Sequence, residues 1–174
     1  MRLRLASWLL PVALLAPAIS HAQSASETAI KAAFLAKFGA YVTWPDAGGP
    51  IVICAVGNDA LGNALDRAVA GQQIDGRPLV VRKLDSVDRG SGCSIAYLAG
   101  SSRQSVAGAL AALRSAPVLT VTDSRESNAR GMIHFQIAQN RVRFYIDDRE
   151  AAQSRLDISS KLLALALGVR ARGR

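Results

Sequence analysis

Ile51-Val52-Ile53-Cys54-Ala55-Val56, closed by Gly57-Asn58-Asp59, is the stretch that decides the fold. A continuous apolar run of this length suits a strand covered on both faces, as in a parallel sheet between helices. The segments after it keep that rhythm. Asp59 can cap a helix that puts Leu61, Leu65 and Val69 on its inner face, with Gly71 just past its end. Pro78 to Leu84 reads as a second strand, Ser94 to Leu98 as a third and Pro117 to Thr122 as a fourth, with an alanine-rich helix from Arg103 to Leu113. Upstream, Ser24-Ala25-Ser26-Glu27 has capping-box spacing, and Ile30, Phe34, Phe38 and Tyr41 follow at helical period. That predicts a first helix from about Ser26 to Val42, stopped near Trp44 because Pro45 disfavours α conformation there, with a turn from Asp46 to Pro50. Downstream, Met132 to Ile137 and Arg141 to Ile146 form a hairpin around Ala138-Gln139-Asn140, and a last helix from about Ile158 to Val169 turns Leu162, Leu163, Leu165 and Ala166 inward. The expected fold is α/β: a single layered domain with a mixed, mostly parallel sheet, flanking helices and a late β-hairpin.

The ends of the chain bear on where it works. Met1-Arg2-Leu3-Arg4 is a positive start, Leu5 to Ile19 is mostly apolar, and Ser20-His21-Ala22 places small residues where a leader is cut. Residues 1–22 thus read as a secretory signal peptide, and 23–174 as the exported domain. About 150 residues remain, enough to close over one core. The longest apolar run in that part, Leu162 to Val169, is too short to span a bilayer, so the domain is expected not to be membrane-spanning. The formal net charge is +8, two units of which leave with Arg2 and Arg4. The rest is dispersed apart from Arg170, Arg172 and Arg174, which reads as a solvated surface and not as a nucleic-acid site.

Several blocks resemble the YfiR family in their order along the chain. Ile30-Lys31-Ala32-Ala33-Phe34-Leu35-Ala36-Lys37-Phe38, continuing through Tyr41-Val42-Thr43 to Trp44-Pro45, is similar to that family's opening helix. Ile51 to Gly57 resembles the next block, and Cys93 matches the family's second cysteine position. Pro117 to Asp123, Gly131 to Phe135 with Val142-Arg143-Phe144, and Leu156 to Leu165 resemble its later strand, hairpin and closing helix. The resemblance implies a non-catalytic periplasmic protein that binds the sensory domain of a membrane-bound diguanylate cyclase and represses it, lowering cyclic di-GMP and biofilm formation. It also implies self-association as a homodimer. Two departures stand out. His134 and Asp147 occupy positions where the family usually has Asn, and the chain has two cysteines where the best-known branch has four.

Two cysteines in an exported chain, both beside strands, are expected to pair, so Cys54 and Cys93 are assigned an intramolecular disulfide. Whether the bond is structural or a redox switch stays open at this stage. One histidine after residue 22 and two bonded cysteines make no metal spacing, no glycine loop for phosphates is present, and no cofactor is expected. A Ser-His-Asp hydrolase would have to use His134, which alternates with Ile133 and Phe135 and reads as an outer-face residue of the hairpin. Phe34 and Phe38 read as core. Tyr41 and Trp44, at the end of the first helix, are the candidate partner-binding residues. The alternative function is a periplasmic small-ligand-binding module that reports to a sensor histidine kinase or another membrane receptor.

Overall fold

The computed structural model describes residues 19–46, 48–57 and 61–173, the side chains of 19–23 excepted. The signal-peptide reading falls mainly on residues 1–18, and the Asp59 cap on 58–60, all outside the described residues.

The apolar run Ile51 to Val56 becomes β2, Ile51–Gly57, an interior strand of an eight-stranded sheet. On one side it pairs in parallel with β4, Arg77–Leu84, which carries the short antiparallel β3, Gln73–Ile74. On the other side the chain continues through β5, Ile95–Gly100, β6, Leu119–Asp123, and β7, Ile133–Ala138, all parallel. β8, Arg141–Asp147, returns antiparallel to β7, and Gln139 and Asn140 take the positive φ that a two-residue hairpin turn requires. The sheet is mixed and mostly parallel, and the fold is α/β.

Alternation explains why β2 is apolar throughout. Ile51 and Ile53 face one core, with Leu35 and Phe38 of α1, Ile19–Phe38, and Leu65 of α2, Ala64–Val69. Cys54 and Val56 face a second core with Ala96, Leu98, and Val106 and Ala109 of α3, Val106–Ala112. The first core continues over the hairpin, where Phe34 and Phe38 pack against Phe135 and Phe144 with ring centroids 5.4 to 6.0 Å apart. At the carboxyl ends of β2 and β5, Gly57 adopts φ +105°, and a Cβ there would lie 2.1 Å from the Gly100 carbonyl oxygen. No other residue fits where these two strands converge.

Three expectations are corrected. The first helix ends at Phe38, passes through a 3₁₀ turn at Gly39–Tyr41, and leaves Val42–Thr43 as β1, paired with β9, Asp157–Ile158. Its inward face is also rotated, because Ile30 is 43% exposed while Lys31 is buried. The closing helix is cut to α5, Ser160–Leu163, and Leu165 is 57% exposed. Gly168–Arg170 instead forms β10, parallel to β8, and Leu167 donates its amide to the Phe144 carbonyl at 2.8 Å. The open edge of β8 offers this segment backbone partners, and Gly168 and Val169 are weak helix formers.

Candidate functional site

The predicted residues converge on one junction. Cys54 and Cys93 are joined by a disulfide with 5.8 Å between their Cα atoms, tying the middle of β2 to the residue two before β5. Ser94, next in the chain, donates its amide to the Val52 carbonyl at 2.8 Å and accepts the Val52 amide on its hydroxyl at 3.2 Å. Its carbonyl accepts the Trp44 indole N–H at 3.1 Å. Trp44 is therefore anchored one residue from the disulfide and is only 8% exposed, packed in the first core. An indole buried in its own chain has little area left for a partner; the half-buried Tyr41 beside it has more.

A buried ionic cluster escaped the sequence reading. Lys31, on the inward face of α1, is bonded to Glu27 one turn earlier and to Asp123 at the end of β6. Asp123 also accepts the Tyr97 hydroxyl at 3.3 Å and the Arg125 amide at 2.9 Å. Arg125 closes the group with a bidentate contact to Glu27 at 2.7 and 2.8 Å. Burial raises the Glu27 carboxyl, but hydrogen bonds from Lys31 and Arg125 outweigh it and hold the group below the usual carboxylate range. Burial, with Asp123 adding to it, pushes the Tyr97 phenol far up, so it stays a donor. Each charge is spent on another, which makes this cluster a clasp between α1 and the strand ends rather than a reactive centre. The visible trace in the sequence was the Glu27–Lys31 spacing, a helix pair that ordinarily faces water.

His134 is not the solvated hairpin residue expected from its alternation. It does lie opposite Ile133 and Phe135, yet it is 3% exposed. Its Nδ1 lies 2.9 Å from the Thr122 hydroxyl, which also accepts the Gly131 amide at 2.9 Å. Thr122 is itself fully buried, so no substrate carbonyl can reach its oxygen, and the pair does not make a nucleophile and base. Burial lowers the His134 pKa, Arg130 lowers it further, and Asp123 opposes them. A histidine held neutral by folding contributes stability above its unfolded pKa of about 6.5, and that stability is lost as pH falls below it. Between about pH 7.5 and about pH 5.5 the thermal midpoint is expected to drop more in the natural protein than in His134→Gln. Equal slopes for the two proteins would remove the imidazole from this account.

Around His134 lies an open groove of about 530 Å³, lined also by Arg130, Gly131, Tyr145, Asp147 and Arg170. A second, of about 510 Å³, shares Arg130, Gly131, Asp147 and Arg170 and runs toward α3. Arg130 stands over the Tyr145 ring, 5.5 Å from its centroid, and Arg170 meets Asp147 at 3.1 Å. Among the described residues, no group of three or more His, Cys, Asp or Glu could hold a metal ion.

No curated protein matches the sequence. A protein-family model described as YfiR/HmsC-like does match, over residues 28–167, a span that runs from the clasp on α1 past the disulfide, the hairpin and α5. By that match the chain belongs to the YfiR/HmsC-like family.

Proposed function

We propose that this chain is an exported regulator that works by binding another protein. Residues 1–22 are removed on export, and the domain 23–174 acts in the periplasm on the sensory domain of an inner-membrane diguanylate cyclase. Binding holds the cyclase inactive and lowers cyclic di-GMP and biofilm formation. The observation that carries this reading is the family match over residues 28–167. Two features accord with it: the Cys54–Cys93 bridge suits an oxidising compartment, and no helix among the described residues is long and apolar enough to cross a membrane.

The mechanism is a population shift. A regulator that prefers the inactive sensory domain by about a hundredfold turns an evenly balanced cyclase into one that is ~99% inactive. Tyr41, partly buried against the first core three residues before Trp44, is the proposed contact at one end of the domain. On the edge strand β10 and the turn before it, Val169, Leu165 and Leu167 are exposed apolar side chains that suit a second contact, either with the partner or with another copy in a homodimer.

Deleting the gene is expected to raise cyclic di-GMP, increase biofilm and reduce motility, and the natural chain should restore all three. Tagged protein should also retain a membrane diguanylate cyclase when it is purified from membranes. An unchanged cyclic di-GMP level in a clean deletion would defeat the repressor reading.

A further inference from the structure

The sheet face on the α3 side changes character beyond β6. The second core, which holds Cys54, Ala96, Leu98 and α3, draws no side chain from β7, β8 or β10. In its place a polar row crosses four neighbouring strands, Thr122–His134–Tyr145–Gly168, each residue in register with the next. This row lies under the groove.

The hydrogen bonding fixes what the row presents. Thr122 Oγ1 accepts from the Gly131 amide, and among the described residues the acceptor within reach of its own hydrogen is His134 Nδ1. An imidazole that accepts at Nδ1 while neutral carries its proton on Nε2. Among the described residues Nε2 has no partner, although the ring is buried and lines the groove. Among the described residues the one side-chain polar atom sealed without a partner is Ser154 Oγ, so the Nε2–H is open to the groove, and its acceptor has to come from there. Arg130 adds a guanidinium with no carboxylate or hydrogen-bond partner among the described residues, stacked over Tyr145. Asp147 does not cancel that charge, because Arg170 and the Glu150 amide already engage it. Gly131 keeps the wall thin: a Cβ there would lie 2.8 Å from the Thr120 carbonyl oxygen.

We propose that this groove is an oxyanion site, taking a small carboxylate or phosphate compound that pairs with Arg130 and accepts the Nε2–H of His134. Arg130 supplies charge and a planar fork, His134 supplies direction, and Tyr145 fixes the fork in place. The site stands independently of the repressor reading, which a failure here would leave untouched.

The test follows the His134 ring by ¹H–¹⁵N NMR, with its signals identified by their loss in His134→Gln. Citrate and inorganic phosphate are titrated in separate arms. The free protein is expected to show the Nε2–H tautomer, and at least one arm a saturable shift of the ring signals. Arg130→Gln is expected to weaken that titration by about tenfold or more, and Arg130→Lys by less. Arg130 is exposed and, apart from the Tyr145 ring, has no hydrogen-bond or ion-pair partner among the described residues, so circular dichroism of both variants should be native. A response to citrate alone identifies a carboxylate ligand, to phosphate alone a phosphate compound, and to both a general oxyanion site. No movement of the ring in either arm, or an unchanged curve in Arg130→Gln, would overturn the proposal.

Discussion

Replacing Cys54 and Cys93 together by alanine is expected to lower the unfolding free energy by about 4 kcal/mol, the chain-entropy value for a loop of this size. The bridge closes a separation of 39 residues that contains α2, β3 and β4, so its loss frees that whole loop in the unfolded chain. Against a total stability of about 5–15 kcal/mol, that is the difference between a robust domain and a marginal one. Alanine is the right replacement because both sulfurs are packed in the second core, where a polar residue would add a desolvation penalty of its own. Denaturant unfolding of the oxidised protein, the reduced protein and the double variant separates the contributions. Reduction and mutation should agree to within about 1 kcal/mol, since each removes the same cross-link. Trp44, the one tryptophan of the chain after residue 22, reports the same event locally through its bond to Ser94. A midpoint that does not move on reduction would mean that the bond closes a loop already held by the sheet.

What the sequence made legible was everything governed by local pattern. The apolar run 51–56 required cover on both faces, and it has helices on each. Gln139-Asn140 between two alternating segments required a hairpin turn, and both residues adopt it. What stayed hidden was settled by distant partners. Period alone put Ile30 on the inner face of α1, but Lys31 takes the neighbouring position because Asp123, far along the chain, waits there for its charge. The residues 165–170 have the composition of an amphipathic helix end, and an unfilled strand edge claimed them. Alternation placed His134 on the correct face of β7; it could not say that Thr122 and the Arg130 segment would close that face over. Trp44 read as a helix-end aromatic, and a carbonyl at Ser94, fixed by the neighbouring disulfide, drew it inward.

The clasp offers the second large effect, and it separates two physical accounts of a buried ion pair. Asp123→Ala leaves Lys31 buried with Glu27 alone, and it strips an acceptor from the Tyr97 hydroxyl and the Arg125 amide. Removing one partner of such a group typically costs about 3–5 kcal/mol, mostly because the charge left behind is desolvated without compensation. Lys31→Met combined with Asp123→Asn removes both charges, while the new amide's oxygen still accepts from the Arg125 amide and its NH2 group can donate to the Tyr97 hydroxyl. If the cost is that of an orphaned charge, the double variant recovers most of the loss; a double variant as unstable as Asp123→Ala would show that the attraction itself carries the stability. Acid provides an independent reading. Glu27 is held below its ordinary range, so its contribution is present above the unfolded carboxylate value of about 4.3 and disappears as pH falls through the lower folded value. Lys31→Met takes away a principal cause of that lowering, so the variant has less stability to lose on acidification than the natural chain. An acid-unfolding midpoint that is the same with and without Lys31 would mean that Arg125 alone holds the Glu27 carboxylate.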